Sequence, residues 1–413
     1  MSKTITGNSS PVPAESGVND ASARWTPRWI ALGLLPLILL AGVLAVIVAT
    51  NGGLGERTAP PIEVLNVQRV TLPEPNVIVM DVVNDGPDPI TIAQVLVDDA
   101  YWQFEMDGGG VDRTLDRLES ATIRIPYPWV EGEAHSIAML SGTGVVFDAE
   151  IPVALEAPKT NVETILRFAL IGFYVGVIPV GLGLLWYPFM RRLGSTGMRF
   201  VLALTIGLLA YLAVDAFGEA QELALRLPGA LNAPILVPVM AALTFLFLMT
   251  IASRKVDGVR RGLSTSYRIA LSIGLHNLGE GLAIGAAFAL GEVALGVFLI
   301  VGFTLHNVTE GVGIAAPIVR ERPSLKHFGG LALLAGGPTI VGVWIGGFAN
   351  SPFWTTIFLA IGVGAIIQVV VEVSSIIRRG AEREGNPWLN WTTFGGVTTG
   401  IAIMYATALI VAA

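Results

Sequence analysis

The strongest chemical signal in this chain is a pair of six-residue motifs that begin 30 residues apart. His276 to Gly281 reads His-Asn-Leu-Gly-Glu-Gly, and His306 to Gly311 reads His-Asn-Val-Thr-Glu-Gly. In each motif a histidine precedes a glutamate by four residues, so both side chains lie on one face of a helix. Imidazole nitrogens and carboxylate oxygens are ligands for divalent transition metals. The two motifs therefore predict a metal site between two helices.

Both motifs lie about halfway along apolar stretches that are long enough to cross a bilayer. Polar and ionisable groups are costly inside a membrane, so their presence there favours a functional site. The alternatives are hydrogen-bonded ties between helices or a proton relay. The ligand set suits zinc, ferrous iron, manganese, cobalt or cadmium, bound as one ion or as two ions bridged by carboxylates. The predicted metal ligands are His276, Asn277, Glu280, His306, Asn307 and Glu310.

The composition predicts an all-α polytopic membrane protein. Of 413 residues, 53% are hydrophobic and only 14% are charged, whereas soluble proteins average about 25% charged. Uncharged runs that exceed the roughly 20 residues of a transmembrane helix cover 29–50, 168–190, 227–253 and 391–413. The chain contains no cysteine, which excludes disulfides and thiolate metal sites.

Nine spans are predicted, and the first, 29–50, is read as an uncleaved signal anchor. The other eight are predicted at 163–190, 198–220, 231–253, 267–290, 293–318, 328–348, 353–377 and 391–413. Arginine and lysine concentrate in alternate loops, which the positive-inside rule assigns to the cytoplasm. This pattern predicts a cytoplasmic N-terminus and an extracytoplasmic C-terminus. The scarcity of lysine, four against twenty-one arginines, indicates a prokaryote, so the predicted location is a prokaryotic plasma membrane.

Four regions follow along the chain. Residues 1–28 are predicted to form a disordered cytoplasmic arm, 29–50 the anchor, 51–158 an extracytoplasmic β domain and 159–413 the eight-helix domain. Residues 51–162 carry eighteen acidic and six basic side chains. Val- and Ile-rich runs separated by turn residues predict a small immunoglobulin-like sandwich. These runs cover 62–72, 76–85, 90–98, 121–125 and 136–152.

Further polar residues mark a pathway to the predicted metal site. Asp215, Glu219 and Glu222 follow one helix face at the outer end of a span. An alternative places Glu219 and Glu222 at the lipid headgroups. Gln368 and Glu372, one turn apart, lie within the span at 353–377. The possible pathway therefore comprises Asp215, Glu219, Gln368 and Glu372.

The residues from His276 to Phe288 closely resemble the fourth-helix signature of the ZIP (Zrt/Irt-like) metal transporters, and His306 to Gly311 resembles the fifth-helix signature. A segment that ends at Glu372 resembles the seventh helix of the prokaryotic branch. The resemblance covers about 163–413. It implies an eight-helix ZIP-like core that moves divalent metal, zinc above all, into the cytoplasm as substrate, without a permanent cofactor.

The same resemblance assigns roles to individual residues. His276, Glu280 and Glu310 match family ligand positions, and Asn277 and Asn307 match positions that contribute to a second metal in some members. The position of His306 varies between histidine and glutamine. The family often has proline immediately before the motif glutamates, where this chain has Gly279 and Thr309.

The main alternative function is a membrane-bound sensor that binds metal without net transport. An enzyme is not predicted, because the His-Glu-x-x-His motif of zinc proteases is absent. The predicted partners are divalent metal ions and the lipid bilayer, without nucleic acid, and a homodimer is left open. The partner of the outer domain is unassigned. Since metal displaces protons from its ligands, flux is expected to depend on pH.

Overall fold

A computed structural model describes residues 27–50, 60–253, 261–349 and 351–412. All but the last two residues of the predicted disordered arm lie outside this description. The chain divides into two compact units, 1–60 and 61–413. In the described part of the first unit, helix α1 (Pro27–Ala49) coincides with the predicted anchor. Its 23 residues are long and apolar enough to cross a membrane.

The second unit begins with a β domain of two antiparallel sheets. One has the strand order β1-β2-β7-β5, and the other has the order β4-β3-β8-β9, with β6 paired to β3. The five predicted β runs are confirmed, the last as two strands. Strands β4, β5 and β6 were not predicted, since two or three residues show no alternation. The strands are β1 (Leu65–Glu74), β2 (Val77–Asn84), β3 (Ile90–Val97), β4 (Ala100–Trp102), β5 (Glu105–Asp107), β6 (Thr114–Leu115), β7 (Ser120–Ile125), β8 (His135–Ser141) and β9 (Val146–Ile151).

Alternate residues of the strands form the core between the two sheets. In β2, every second side chain is buried, and Ile78 and Met80 are fully enclosed. They share one cluster with Ile137 and Met139 from the opposite sheet. Full burial of a side chain of this size contributes about 1.5–3 kcal/mol. The predicted sandwich architecture therefore rests on period-two patterning in both sheets.

A hydrogen-bonded cluster joins three segments of the β domain. The Asp98 carboxylate accepts hydrogen bonds from Tyr127 Oη (2.6 Å) and from the backbone N–H of Ser136 (2.9 Å), and it lies 2.8 Å from His135 Nδ1. Burial opposes the negative charge, but these bonds outweigh it and lower the pKa of Asp98 to about 2. The bond to Asp98 raises the pKa of Tyr127 to about 12.

This cluster predicts that the β domain loses stability in acid. A carboxylate with a depressed pKa stabilises the fold above its unfolded pKa of about 4, and the contribution disappears as the pH falls towards 2. Asp98→Asn should therefore reduce amide exchange protection in 90–102 and 135–141 at pH 6. The difference from the wild type should shrink between pH 4 and pH 2. Hydrogen exchange of both proteins at matched pH tests this, and a constant difference would contradict it.

The remainder of the second unit is a bundle of long helices. Each of the eight predicted core spans coincides with helical structure. A π-helical turn at Phe173–Val177 separates α2 from α3. The helices are α2 (Val162–Gly172), α3 (Ile178–Leu184), α4 (Tyr187–Met190), α5 (Ser195–Leu225), α6 (Ala233–Ser253), α7 (Arg261–Ala289), α8 (Val293–Ala315), α9 (Leu325–Phe348), α10 (Pro352–Glu384) and α11 (Trp391–Ala412).

Among the described residues, seven helical segments are long and apolar enough to cross a membrane, α1 included. The predicted spans 267–290 and 391–413 fall on α7 and α11, which are outside this group. Helix α7 carries the polar residues of the first motif, and α11 has four threonines in its first half. The polar motif lowers the mean hydropathy of α7, and both helices are long enough to span.

Glycines bring α7 and α9 into backbone contact. Gly281 and Gly285 of α7 face Gly342 and Gly346 of α9, each pair at the four-residue spacing typical of close helix packing in membranes. A Cβ atom on Gly342 would lie 2.3 Å from the carbonyl oxygen of Leu278. No side chain fits in this contact, so the rotation of α7, and the direction of its motif face, is fixed by α9.

Prolines within the helices leave backbone carbonyls for neighbouring helices. Proline has no N–H, so the carbonyl four residues before it lacks its usual helical donor. Pro238 of α6 leaves the carbonyl of Pro234, which accepts a hydrogen bond from Gln221 Nε2 of α5 (3.1 Å). Pro338 of α9 leaves the carbonyl of Leu334, which lies against a glycine of α7.

The β domain is docked on the loop between α5 and α6. The Asp85 carboxylate accepts hydrogen bonds from the backbone N–H groups of Gly229 (2.7 Å) and Ala230 (3.2 Å). Asn66 Nδ2 of β1 donates to the carbonyl of Arg226 (3.0 Å). These contacts hold the edge of the domain at the end of the bundle where α5 terminates.

Candidate metal centre

Helices α7 and α8 are antiparallel neighbours joined by a tight turn. Gly291 adopts a positive φ of 76° in this turn, a conformation that glycine accommodates without strain. Glu292 then forms the N-cap of α8 and is exposed. The short connection places the two motifs side by side in the interior of the bundle.

Three motif side chains converge on one point. Glu280 Oε1 lies 3.0 Å from His276 Nε2 and 2.5 Å from His306 Nε2. The ligand atoms of these three residues all lie within 4.8 Å of one another. Each side chain is at most 6% exposed. Two imidazoles and one carboxylate this close together match the ligand types and spacing that a divalent metal ion requires.

The two asparagines link the motifs reciprocally. Asn277 Nδ2 of α7 donates to Glu310 Oε2 of α8 (3.2 Å), and Asn307 Nδ2 of α8 donates to Glu280 Oε2 of α7 (3.2 Å). Asn277 Nδ2 also donates to the carbonyl of Ala335 in α9 (3.1 Å). Each asparagine therefore holds the glutamate of the other motif.

Four ligand-type atoms in this centre have no hydrogen-bond partner among the residues that the structure describes. They are His276 Nε2, Asn277 Oδ1, Asn307 Oδ1 and Glu310 Oε1. His276 Nε2 is close to Glu280, but the angle is not that of a hydrogen bond. Buried polar atoms in proteins are nearly always paired. A purely structural hydrogen-bonded tie would leave these atoms unpaired, whereas nitrogen and oxygen atoms of these kinds can serve as metal ligands.

All six predicted ligands are thus buried in one region, but they are not equivalent. His276, Glu280 and His306 form one compact group. Asn277, Asn307 and Glu310 adjoin it through the hydrogen bonds between the motifs. Thr309, the residue before the glutamate of the second motif, donates its hydroxyl to the carbonyl of His306 (2.6 Å). Helix α8 runs without a break through Thr309, a position where a proline would kink it.

A residue outside both motifs holds Asn307. Asn307 Nδ2 donates to the carbonyl of Val175 (3.0 Å), which lies in the π-helical turn before α3. Pro179, four residues later, has no N–H to offer this carbonyl. Sequence reasoning missed this contact, because nothing in the sequence reveals which neighbouring side chain reaches a carbonyl left by a proline. The π-helical turn between α2 and α3 therefore orients the side-chain amide of Asn307, including its Oδ1 atom.

Pro179→Ala is expected to raise the metal concentration for half-maximal flux severalfold. The new N–H competes for the Val175 carbonyl and releases the amide of Asn307. Loss of a residue that orients a metal ligand typically lowers metal affinity about 10–100-fold. The maximal rate should change less. Pro238→Ala is the matched control, because it restores the same kind of bond away from the centre. Equal effects of both substitutions on half-saturation would contradict a positioning role.

A cavity of about 980 Å³ leads to the centre from the end of the bundle that carries the β domain. His306 lines its inner part, and Asp215, Glu219 and Glu222 line one wall. Asp215 is exposed to this cavity. Strands β1 and β9 also contribute to the wall, a role that the sequence did not reveal. Their charged members include Arg69, Asp148 and Glu150.

On the other side of the centre, polar contacts join α7 to α10. Ser272 Oγ donates to Gln368 Oε1 (2.9 Å), and Arg268 Nη2 donates to Glu372 Oε1 (2.8 Å). Gln368 and Glu372 are both buried, as predicted for pathway residues within a span. Arg268, predicted close to a loop, lies two turns inside α7 and forms an ion pair with Glu372.

Comparison with known proteins agrees with this architecture. Residues 249–408 match the family model described as ZIP Zinc transporter. The matched range contains both motifs, Gln368 and Glu372, but not Asp215, Glu219 or the β domain. No curated protein matches the chain.

Proposed function

We propose that this chain, in which residues 249–408 belong to the ZIP zinc transporter family, carries zinc into the cytoplasm through the centre between α7 and α8. The match to this family supports divalent metal transport. The choice of zinc over iron, manganese or cadmium, the inward direction and the ligand roles are parts of the proposal.

The His276–Glu280–His306 group carries the proposal. Its ligand atoms lie within 4.8 Å of one another in the bundle interior, and unpaired oxygens of Asn277, Asn307 and Glu310 are close by. An ion that loses its hydration shell needs such replacement ligands. Burial of the centre strengthens the attraction between the ion and the carboxylates. The site is suited to a cation that is bound as substrate, with no permanent cofactor.

We propose that metal reaches the centre through the outer cavity. Asp215 and Glu219 supply negative charge along its wall and attract cations. The contacts of α7 with Gln368 and Glu372 close the opposite side, so release into the cytoplasm requires these contacts to separate. The β domain at the cavity mouth then faces outward, and the N-terminal arm faces the cytoplasm. We retain 51–158 and 159–413 as the proposed boundaries of the β domain and the helical domain.

Flux into liposomes tests the proposal. Purified protein should give saturable uptake of zinc into vesicles loaded with a metal-sensitive dye, with competition by iron(II), manganese and cadmium. Protein-free vesicles provide the background rate. Saturable binding of zinc without flux would overturn the transport proposal and favour a metal sensor.

The sensor alternative has its own observation, namely that the β domain lines the cavity that leads to the metal centre. Deletion of residues 51–158 distinguishes the two functions. A transporter should retain measurable zinc flux through the helical domain alone. A sensor should keep its zinc affinity but lose its signalling output, because the β domain would be the surface that contacts its partner.

A further inference from the structure

A second cavity, of about 550 Å³, opens at the end of the bundle opposite to the β domain. It lies where the loop before α5, the start of α7, the segment after α8 and the end of α10 meet. Five arginines and two glutamates line it, which gives a net charge of +3. They are Arg191, Arg199, Arg320, Arg379, Arg383, Glu321 and Glu384.

Both glutamates of this cavity are already engaged. Glu384 forms an ion pair with Arg199 (2.5 Å). The Glu321 carboxylate accepts hydrogen bonds from the backbone N–H groups of Gly262 (2.8 Å) and Leu263 (3.2 Å), and so caps the start of α7. In the described part of the chain, neither carboxylate forms an ion pair with any of the other four arginines of the cavity.

The other arginines differ in what they contact. Arg379 Nη2 donates to Ser375 Oγ (2.9 Å), and Arg191 lies over the ring of Tyr187. Neither Arg320 nor Arg383 has an ion-pair partner in the described ranges of the chain. Both are exposed to the cavity. Like charges that are held in one concave site repel each other unless an anion binds between them.

The remaining walls favour the same kind of ligand. Gly194 and Ser195, at the start of the 31-residue helix α5, line the cavity, and Gly194 provides no side-chain cap for that helix. Apolar side chains, including Leu202, Ile376 and Ile377, form another part of the wall. Guanidinium groups recognise phosphate oxygens through paired hydrogen bonds. Apolar walls beside them suit the glycerol and acyl portion of a phospholipid.

We propose that this cavity binds a phosphate group, carried either by an anionic phospholipid or by free phosphate. The positive-inside rule assigns this end of the bundle to the cytoplasmic side, where anionic headgroups attract basic side chains. The site is separate from the metal centre, and its existence does not depend on zinc being the substrate.

Binding to the purified full-length protein in neutral detergent tests this proposal. The probes are dioctanoyl phosphatidic acid, inorganic phosphate and, as zwitterionic reference, dioctanoyl phosphatidylcholine. Each is titrated while the thermal unfolding midpoint is recorded, because a ligand of the native state raises it. Phosphatidic acid should bind and phosphatidylcholine should bind at least tenfold more weakly. Equal affinity for phosphatidic acid and inorganic phosphate identifies free phosphate as the ligand, whereas preference for phosphatidic acid identifies a lipid.

Arginine variants localise the binding. Arg320→Gln and Arg383→Gln should each weaken phosphatidic acid binding about tenfold, the effect of losing one charge-assisted hydrogen bond. Arg192→Gln and Arg378→Gln are the controls. Each removes an arginine that lies outside the cavity but is next in sequence to a cavity arginine, Arg191 or Arg379. They should change the affinity less than twofold. Equal weakening by all four variants, or no preference of the wild type for phosphatidic acid, would overturn the proposal.

Discussion

Glu280→Gln is expected to lower zinc flux by at least about a hundredfold and to abolish saturable zinc binding in the centre. One oxygen of Glu280 lies close to both histidines, and its second oxygen accepts the hydrogen bond from Asn307. Glutamine keeps the volume but removes the negative charge and one acceptor atom. Two imidazoles then face a neutral amide, so the ion loses the charge that compensates for its lost hydration.

Glu163→Gln is the matched control for this substitution. Glu163 is an exposed glutamate at the start of α2, paired with Arg167 on the same helix, and exposed pairs contribute little. Its flux should remain within about twofold of the wild type. Zinc uptake into liposomes and calorimetric zinc binding should be recorded for both variants. Wild-type uptake by Glu280→Gln would remove the His276–Glu280–His306 group from the transport site.

Gly342→Ala should destabilise the bundle and eliminate flux without touching a metal ligand. The added Cβ would lie 2.3 Å from the carbonyl oxygen of Leu278 and 2.9 Å from Cα of Gly281, which are backbone atoms that cannot move aside alone. Overpacking typically costs about 1–3 kcal/mol. The separation of α7 from α9 would also withdraw the Ala335 carbonyl from Asn277.

Gly337→Ala provides the comparison within the same helix. A Cβ at Gly337 meets no atom within 4 Å. Alanine also has the higher helix propensity, so this variant should be at least as stable as the wild type. Thermal unfolding in detergent and zinc uptake should be measured for both. Equal unfolding midpoints of Gly342→Ala and Gly337→Ala would mean that the α7–α9 contact can accommodate a side chain at position 342.

Local patterns in the sequence account for most of the predicted architecture. The four-residue spacing from His276 to Glu280 and from His306 to Glu310 placed each pair on one helix face, and the short connection at Gly291 required neighbouring helices. Alternation in strands such as Val77–Asn84 predicted the sandwich core. In each case the decisive information lies within about ten residues of chain, where helical and strand periodicity acts.

Contacts between distant elements could not be predicted in this way. The hydrogen bond from Asn307 to Val175 spans 132 residues, and the bond from Arg268 to Glu372 spans 104. Both depend on which helices pack together and at what rotation. Hydropathy does not encode that choice, because most faces of a membrane helix are apolar. The docking of Asp85 on the loop after α5 could not be predicted either, because it also joins elements that are distant in sequence.

The proline-released carbonyls make certain substitutions interdependent. Gln221→Leu alone leaves the carbonyl of Pro234 without a donor, whereas Gln221→Leu combined with Pro238→Ala regains one from the helix itself. The stability changes caused by substituting the proline and the side chain that donates to the released carbonyl should be non-additive in a double-mutant cycle. The two side chains need not touch each other. Pro179 and Asn307 form the same kind of pair beside the metal centre. Genetic variation at Pro179 can therefore be tolerated or harmful according to the residue at position 307. The proposed transport site thus depends on a helix that provides none of its proposed ligands.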